Sequence, residues 1–234
     1  MEKVWRLAGS VQNELAEACV MKEMKERNAA GFPMESFFDR IHEASFCAEK
    51  LAGELRRLAL EHCENRDERR SYERELIETH GIYVGYEEEI VSARLPFLLP
   101  HRKHPYTDYL YQPFLMALED WCRSRLEEGV EIPVFQRATV CFVHEYDKEG
   151  PSVRIRDHDN IEEKQVVDAL GMFFLVSDGG LSLDTYHTTV LGTEDRTLLF
   201  LMERERFASW ISSHEPWNLV SKNEGCAGKE KSTG

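Results

Sequence analysis

The chain has no Cys-x-x-Cys pair; its six cysteines, Cys19, Cys47, Cys63, Cys122, Cys141 and Cys226, are scattered. This spacing excludes a zinc knuckle and a thioredoxin-type redox pair, and it fits small buried hydrophobes in a reducing compartment. No apolar run approaches the roughly 18 to 20 residues that cross a bilayer, and Glu2, Lys3 and Arg6 stand where a signal peptide needs apolar residues. A cytoplasmic protein with no membrane partner is expected. Proline and glycine are sparse, 8 and 14 of 234 residues, while 42% of the side chains are hydrophobic, so wholesale disorder is excluded. There is no internal repeat. No Ser, His, Asp order or reactive-cysteine setting supports a nucleophilic hydrolase.

Positive charge is also short. There are 29 Lys and Arg against 43 Asp and Glu, a formal charge of -14, and residues 101–200 alone carry 10 against 18. Phosphate neutralisation supplies most non-specific nucleic-acid affinity, so a nucleic-acid role has to draw on local clusters. Two are present: His101, Arg102, Lys103 and His104, and the pair Arg154 and Arg156. A solvated loop is the competing reading of the first.

What is present divides the chain in three. Val4, Leu7, Val11, Leu15 and Cys19 are spaced by threes and fours, one face of a helix, and Asn28–Pro33 breaks it. A second helical run starts at Phe37, with Ser36 as a cap, and the pattern continues through the charged stretch 64–76 to His80 and Gly81. Residues 1–82 are thus expected to form a long antiparallel helical hairpin, suited to oligomerisation or to a protein partner. Residues 83–212 switch to short β-rich runs at 89–95, 135–146, 183–191 and 196–202, with helices at 111–126 and 160–170 and an apolar run at 172–176. The last two strands are expected to form a hairpin turned at 192–195. Residues 213–234 are polar and expected to be a flexible tail. The fold class is α+β.

The chemistry gathers in residues 154–178. Asp157 and Asp159 alternate around His158, so in an extended chain both carboxylates leave one face, and Asn160 can cap the helix that follows. Two close like charges favour a hard divalent cation bound through oxygen; a solvated acidic turn is the alternative. Asp178 ends the next apolar run, and Ser-Asp-Gly-Gly is also ordinary turn chemistry. Lys164 also reads as an exposed helix lysine paired with a neighbouring acid. His158 reads as a surface histidine, and His144 and His187 as core or edge residues of predicted strands.

Asp157, Asp159 and Asn160, then Lys164, then Asp168, Ala169 and Leu170, then Asp178 resemble the signature of the RusA-type Holliday junction resolvases. The likeness covers residues 90 to about 206: Val91–Pro96 looks like the family's opening strand with its Leu-Pro exit, and the later elements follow in the expected order. Residues 1–82 have no counterpart. The resemblance implies a RusA-like mixed-sheet domain with two helices, acting as a dimeric, divalent-metal-dependent endodeoxyribonuclease on branched DNA. Asp157, Asp159 and Asp178 would be ligands of Mg2+, or of Mn2+, and Lys164 would balance charge on the pentavalent phosphate. Arg102, Lys103, Arg154 and Arg156 would contact DNA. Relative to the family pattern, one extra residue separates Asp159 from Lys164, and Ser177 replaces one of two adjacent acids. A second expectation follows from these departures: a catalytically silent relative that serves as a homo-oligomeric or adaptor protein through its N-terminal helices.

Overall fold

The computed structural model describes residues 1–27, 34–102, 108–150 and 155–213. The chain divides into two compact units, one ending at Tyr72 and the next starting at Glu73.

The first unit is built on helix α1 (Glu2–Arg27) and helix α2 (Met34–Glu61). They run antiparallel, as cross-pairs show: Lys3 binds Glu54, and Arg40 binds Glu14 at 2.9 Å and Glu17 at 3.0 Å. Val4, Ala18, Ala44 and Cys47 are buried, but Trp5, Val20, Met24 and Phe38 are exposed. The second helix does not continue to His80. It ends at Glu61, and α3 (Arg66–His80) begins afresh. Asn65 is the reason: its Oδ1 accepts from the amides of Asp67 and Glu68, while Glu68 Oε2 accepts from the Glu64 amide. This reciprocal box stops one helix and starts the next.

The second unit is a five-stranded sheet of β1 (Tyr83–Glu87), β2 (Ile90–Leu95), β3 (Ala138–Asp147), β4 (Leu183–Gly192) and β5 (Arg196–Glu203), ordered β1-β2-β5-β3-β4. The pair β3 and β4 is parallel and the others are antiparallel, so the sheet is mixed and the domain is α+β as expected. Strands β4 and β5 are not a hairpin. β3 lies between them: its run 138–146 is buried, with apolar side chains on both faces, the pattern of a central strand whose backbone pairs on each edge and whose faces are covered by helices.

Helices α4 (Asp108–Glu127) and α5 (Lys164–Phe174) contribute to the main core, and α6 (Arg204–Ser213), unforeseen in the sequence, contributes to a second. Ala138, Val140 and Phe142 meet Phe114, Leu118, Leu170 and Phe174; Cys141, Val143 and Leu198 join Trp210. Residues 172–174 complete α5 instead of starting a strand, and only Leu175 pairs with the sheet side, in one parallel bridge to Phe135. Apolar residues at 166, 169, 170 and 174 give α5 a helical stripe that overrides the strand reading of the same run. Among the described residues no helix is long and apolar enough to cross a membrane.

Candidate functional site

The parallel unit β3-α5-β4 places its polar residues at one end. On the face that carries Ala138, Val140 and Phe142, alternation continues with His144 and Tyr146, and on β4 the face that carries Leu183 continues with His187 and Thr189. The face therefore changes from apolar to polar towards the carboxyl ends of the two parallel strands. In open α/β arrangements this is where ligands are bound.

Three imidazoles meet there. His144 Nε2 lies 3.0 Å from His187 Nδ1, and Glu163 Oε2 accepts a hydrogen bond of 2.5 Å from His187 Nε2. His158 Nε2 shares a 2.8 Å hydrogen bond with the Thr189 hydroxyl. The His158 ring centroid is 5.5 Å from His144 and 5.6 Å from His187, and Phe142 stacks on His187 at 4.6 Å. Burial first, and then the neighbouring His187, His158 and Arg156, pull the His144 imidazole down to about 3, so this ring is neutral at neutral pH. Burial and His187 also lower His158, against an opposing pull from Asp157.

The acidic motif lies over this cluster. Asp157 is extended, with φ -67° and ψ 138°, and His158–Asn160 forms a 3-10 turn instead of a strand end. Asp157 and Asp159 are exposed while the ring of His158 turns inward, an arrangement set by this turn and not by the extended backbone that the alternation assumes. Asp159 Oδ1 accepts from Asn160 Nδ2 at 3.1 Å. Asn160 does not cap the helix: α5 starts at Lys164, with Glu163 at its N-cap position.

A loop distant in sequence is laced to the same turn. The Asn160 carbonyl accepts from the Arg102 amide at 2.8 Å, the Pro100 carbonyl accepts from the Glu162 amide at 2.9 Å, and His101 bridges to Ile161. Arg156 donates from its amide to Tyr146 Oη at 3.2 Å and from Nη1 to the Leu99 carbonyl at 2.6 Å. Arg102, Arg156, Asp157 and Asp159 are thereby brought to one surface. Arg102 is exposed, whereas the Arg156 guanidinium is partly occupied by the Leu99 carbonyl. Lys103 and Arg154 lie outside the described residues.

Lys164 is exposed and pairs with Asp168 one turn on, at 2.5 Å. That hydrogen bond and the Asp168 charge raise its amine, with smaller contributions from Asp178 and Glu162. Asp178 is thus within electrostatic reach of Lys164, on an exposed loop after Leu175. Carboxylates are the donor type Mg2+ prefers. As placed, no three His, Cys, Asp or Glu side chains among the described residues form a group that could hold a metal ion.

Sequence reasoning missed the association of His144, His187, His158 and Glu163. Histidines inside two predicted strands are the available signal, but their meeting depends on the parallel pairing of β3 with β4, which no local pattern encodes. No curated protein matches the chain. A family model does match, over residues 2–224, which is nearly its whole length; the chain belongs to DUF6100, a family of unknown function.

Proposed function

We propose that the surface formed by the Asp157–Asn160 turn and the Arg102 loop acts on branched DNA, as a divalent-cation-dependent endodeoxyribonuclease of the kind that residues 90 to about 206 resemble. The observation that supports this reading is the lacing of Arg102 to Asn160. It joins the backbone of Arg102, whose side chain is exposed and able to meet a phosphate, to the acidic turn that the resemblance assigns to catalysis. A dimer that pools Arg102 and Arg156 of two copies around one groove would offset the charge of -14 locally. Asp157 and Asp159 would hold the divalent cation that polarises the scissile phosphate, and Lys164, once released from Asp168, would balance the charge of that phosphate. The reading requires Asp178 to join Asp157 and Asp159 when the cation binds. The test is cleavage of a labelled four-way junction with Mg2+ or Mn2+, with EDTA and Asp159→Asn as controls. Paired nicks lost in both controls are expected; neither cleavage nor cation-dependent junction binding by the wild type would reject the reading.

A second reading is a catalytically silent adaptor that self-associates through α1 and α2. It is favoured by the Lys164 pairing with Asp168 and by the exposed Trp5, Val20, Met24 and Phe38 of the first unit. Junction cleavage separates the two, since both expect self-association: this reading expects no cleavage by the wild type, and light scattering on the full chain should show a homo-oligomer that Trp5→Glu with Met24→Glu converts to monomer.

A further inference from the structure

Within the acidic turn, His158 is the residue whose side chain goes inward. The residues on either side of it are exposed, while its ring packs beside His144 and His187 and its Nε2 is tied to Thr189 Oγ1. The turn has little of its own to hold it. Two short-range backbone bonds close it, from the Asn160 amide to the Asp157 carbonyl at 3.0 Å and from the Ile161 amide to the His158 carbonyl at 3.2 Å. Such 3-10 bonds are poorly aligned and do not stabilise a single turn in isolation. Asp157, at the N-cap position, makes no side-chain cap hydrogen bond. The outer anchors are Arg156 on Tyr146 at one end and Asn160 on Arg102 at the other. Between them, His158 supplies a side-chain tie from the turn to the sheet.

We propose that His158 is the positioning residue of this turn: fastened to Thr189 and packed on the His144 and His187 rings, it fixes Asp157 and Asp159 as an outward-facing pair. The assignment of that pair to phosphate chemistry rests on the nuclease reading above; the positioning itself does not. Histidine suits the task because one planar ring both stacks and hydrogen-bonds. Phenylalanine would keep the packing and leave the Thr189 hydroxyl without this partner.

Native-state hydrogen exchange of the full chain, read by NMR at the Asn160 and Ile161 amides, tests the proposal. In His158→Ala and Thr189→Val these amides are expected to exchange about 10- to 100-fold faster, the range given by loss of one partly buried hydrogen bond with some packing. Thr189→Ser, which keeps the hydroxyl, is expected to restore the wild-type rate, and the Phe142 and Leu199 amides in the paired strands β3 and β5 should not change in any variant. Unchanged turn exchange in both damaging variants would overturn the proposal, as would Thr189→Ser behaving like Thr189→Val. In the junction assay the same two variants should lower kcat while KM stays within about twofold, the pattern of an interaction used in the transition state. A wild type that cleaves nothing would remove the nuclease reading and leave the exchange result to decide the role of His158.

Discussion

At the scale of single residues, three buried polar groups dominate. Glu145 on β3 and Arg196 on β5 face each other in register and form an ion pair, both almost fully buried, with Arg196 also donating to Glu194 at 2.7 Å. Gly192 is what makes room: a Cβ there would land on the Glu145 carboxylate. Gly192→Ala should therefore break the pair and leave a buried charge without its partner, destabilising the protein by about 3 kcal/mol in urea unfolding. His144 gives a second prediction. Its imidazole has a pKa of about 3 in the fold against 6.5 as the ordinary value, so the unfolded chain takes up a proton that the folded chain refuses. That contribution to stability is complete above about pH 6.5 and is lost as pH falls towards 3, by at most about 1.4 kcal/mol per pH unit. The urea midpoint should fall between pH 7 and pH 5. In His144→Gln, less stable at pH 7, the fall should be smaller; an identical fall would show that other groups control it.

At the scale of elements, turn and cap chemistry give predictions independent of the site. The β1 to β2 hairpin is closed by Glu88 and Glu89, with φ of 51° and 59°, in a two-residue loop where side chains other than Asn, Asp or Gly are strained. The left-handed conformation costs roughly 1 kcal/mol per residue, so Glu88→Asn with Glu89→Gly should raise stability by about 1 kcal/mol despite losing the exposed ion pair of Glu89 with Arg206. Asn65→Ala should cost about 1 kcal/mol by removing the acceptor that starts α3, measured as a lowered thermal midpoint. The hairpin and the cap also show where sequence patterns stop being legible. The mixed-charge run around Asn65 has continuous helical periodicity, and the local hydrogen bonds of one asparagine divide it. The strand at 89–95 was legible from its β-rich residues, whereas β1 was not, because its Tyr-Val-Gly-Tyr-Glu run shows no clear alternation and gains its place by pairing with β2. Helix α5 starts at Lys164, four residues beyond Asn160, because Asn160 invites a cap but the chain first makes the 3-10 turn.

At the scale of the whole molecule, the second unit has its own main core, to which Ile77 of α3 and residues from Ile82 to Leu201 contribute. Arg74 and Glu73 of the same helix bind Asp120 and Arg123 of α4, at 3.4 and 3.8 Å. A fragment beginning at Asn65, which keeps the α3 cap, is therefore expected to fold cooperatively with native near-ultraviolet circular dichroism; a non-cooperative melt would show that α1 and α2 are required. The amino-acid sequence by itself determined the long helices, the β-rich second part and the mixed α+β class, because these rest on short-range periodicity, capping and turn preferences. The outward Asp157 and Asp159 and the inward His158 belong to the 3-10 turn, which the alternation of an extended chain does not describe. Only the tertiary structure decided that β3 separates β4 from β5, since a strand's lateral partners are set by long-range backbone pairing within the packed sheet and not by its neighbours in sequence. That one choice places His144 beside His187 and brings Thr189 under His158. The lacing of Pro100–Arg102 to Asn160–Glu162 depends likewise on backbone partners some 60 positions apart, whose pairing no local pattern encodes.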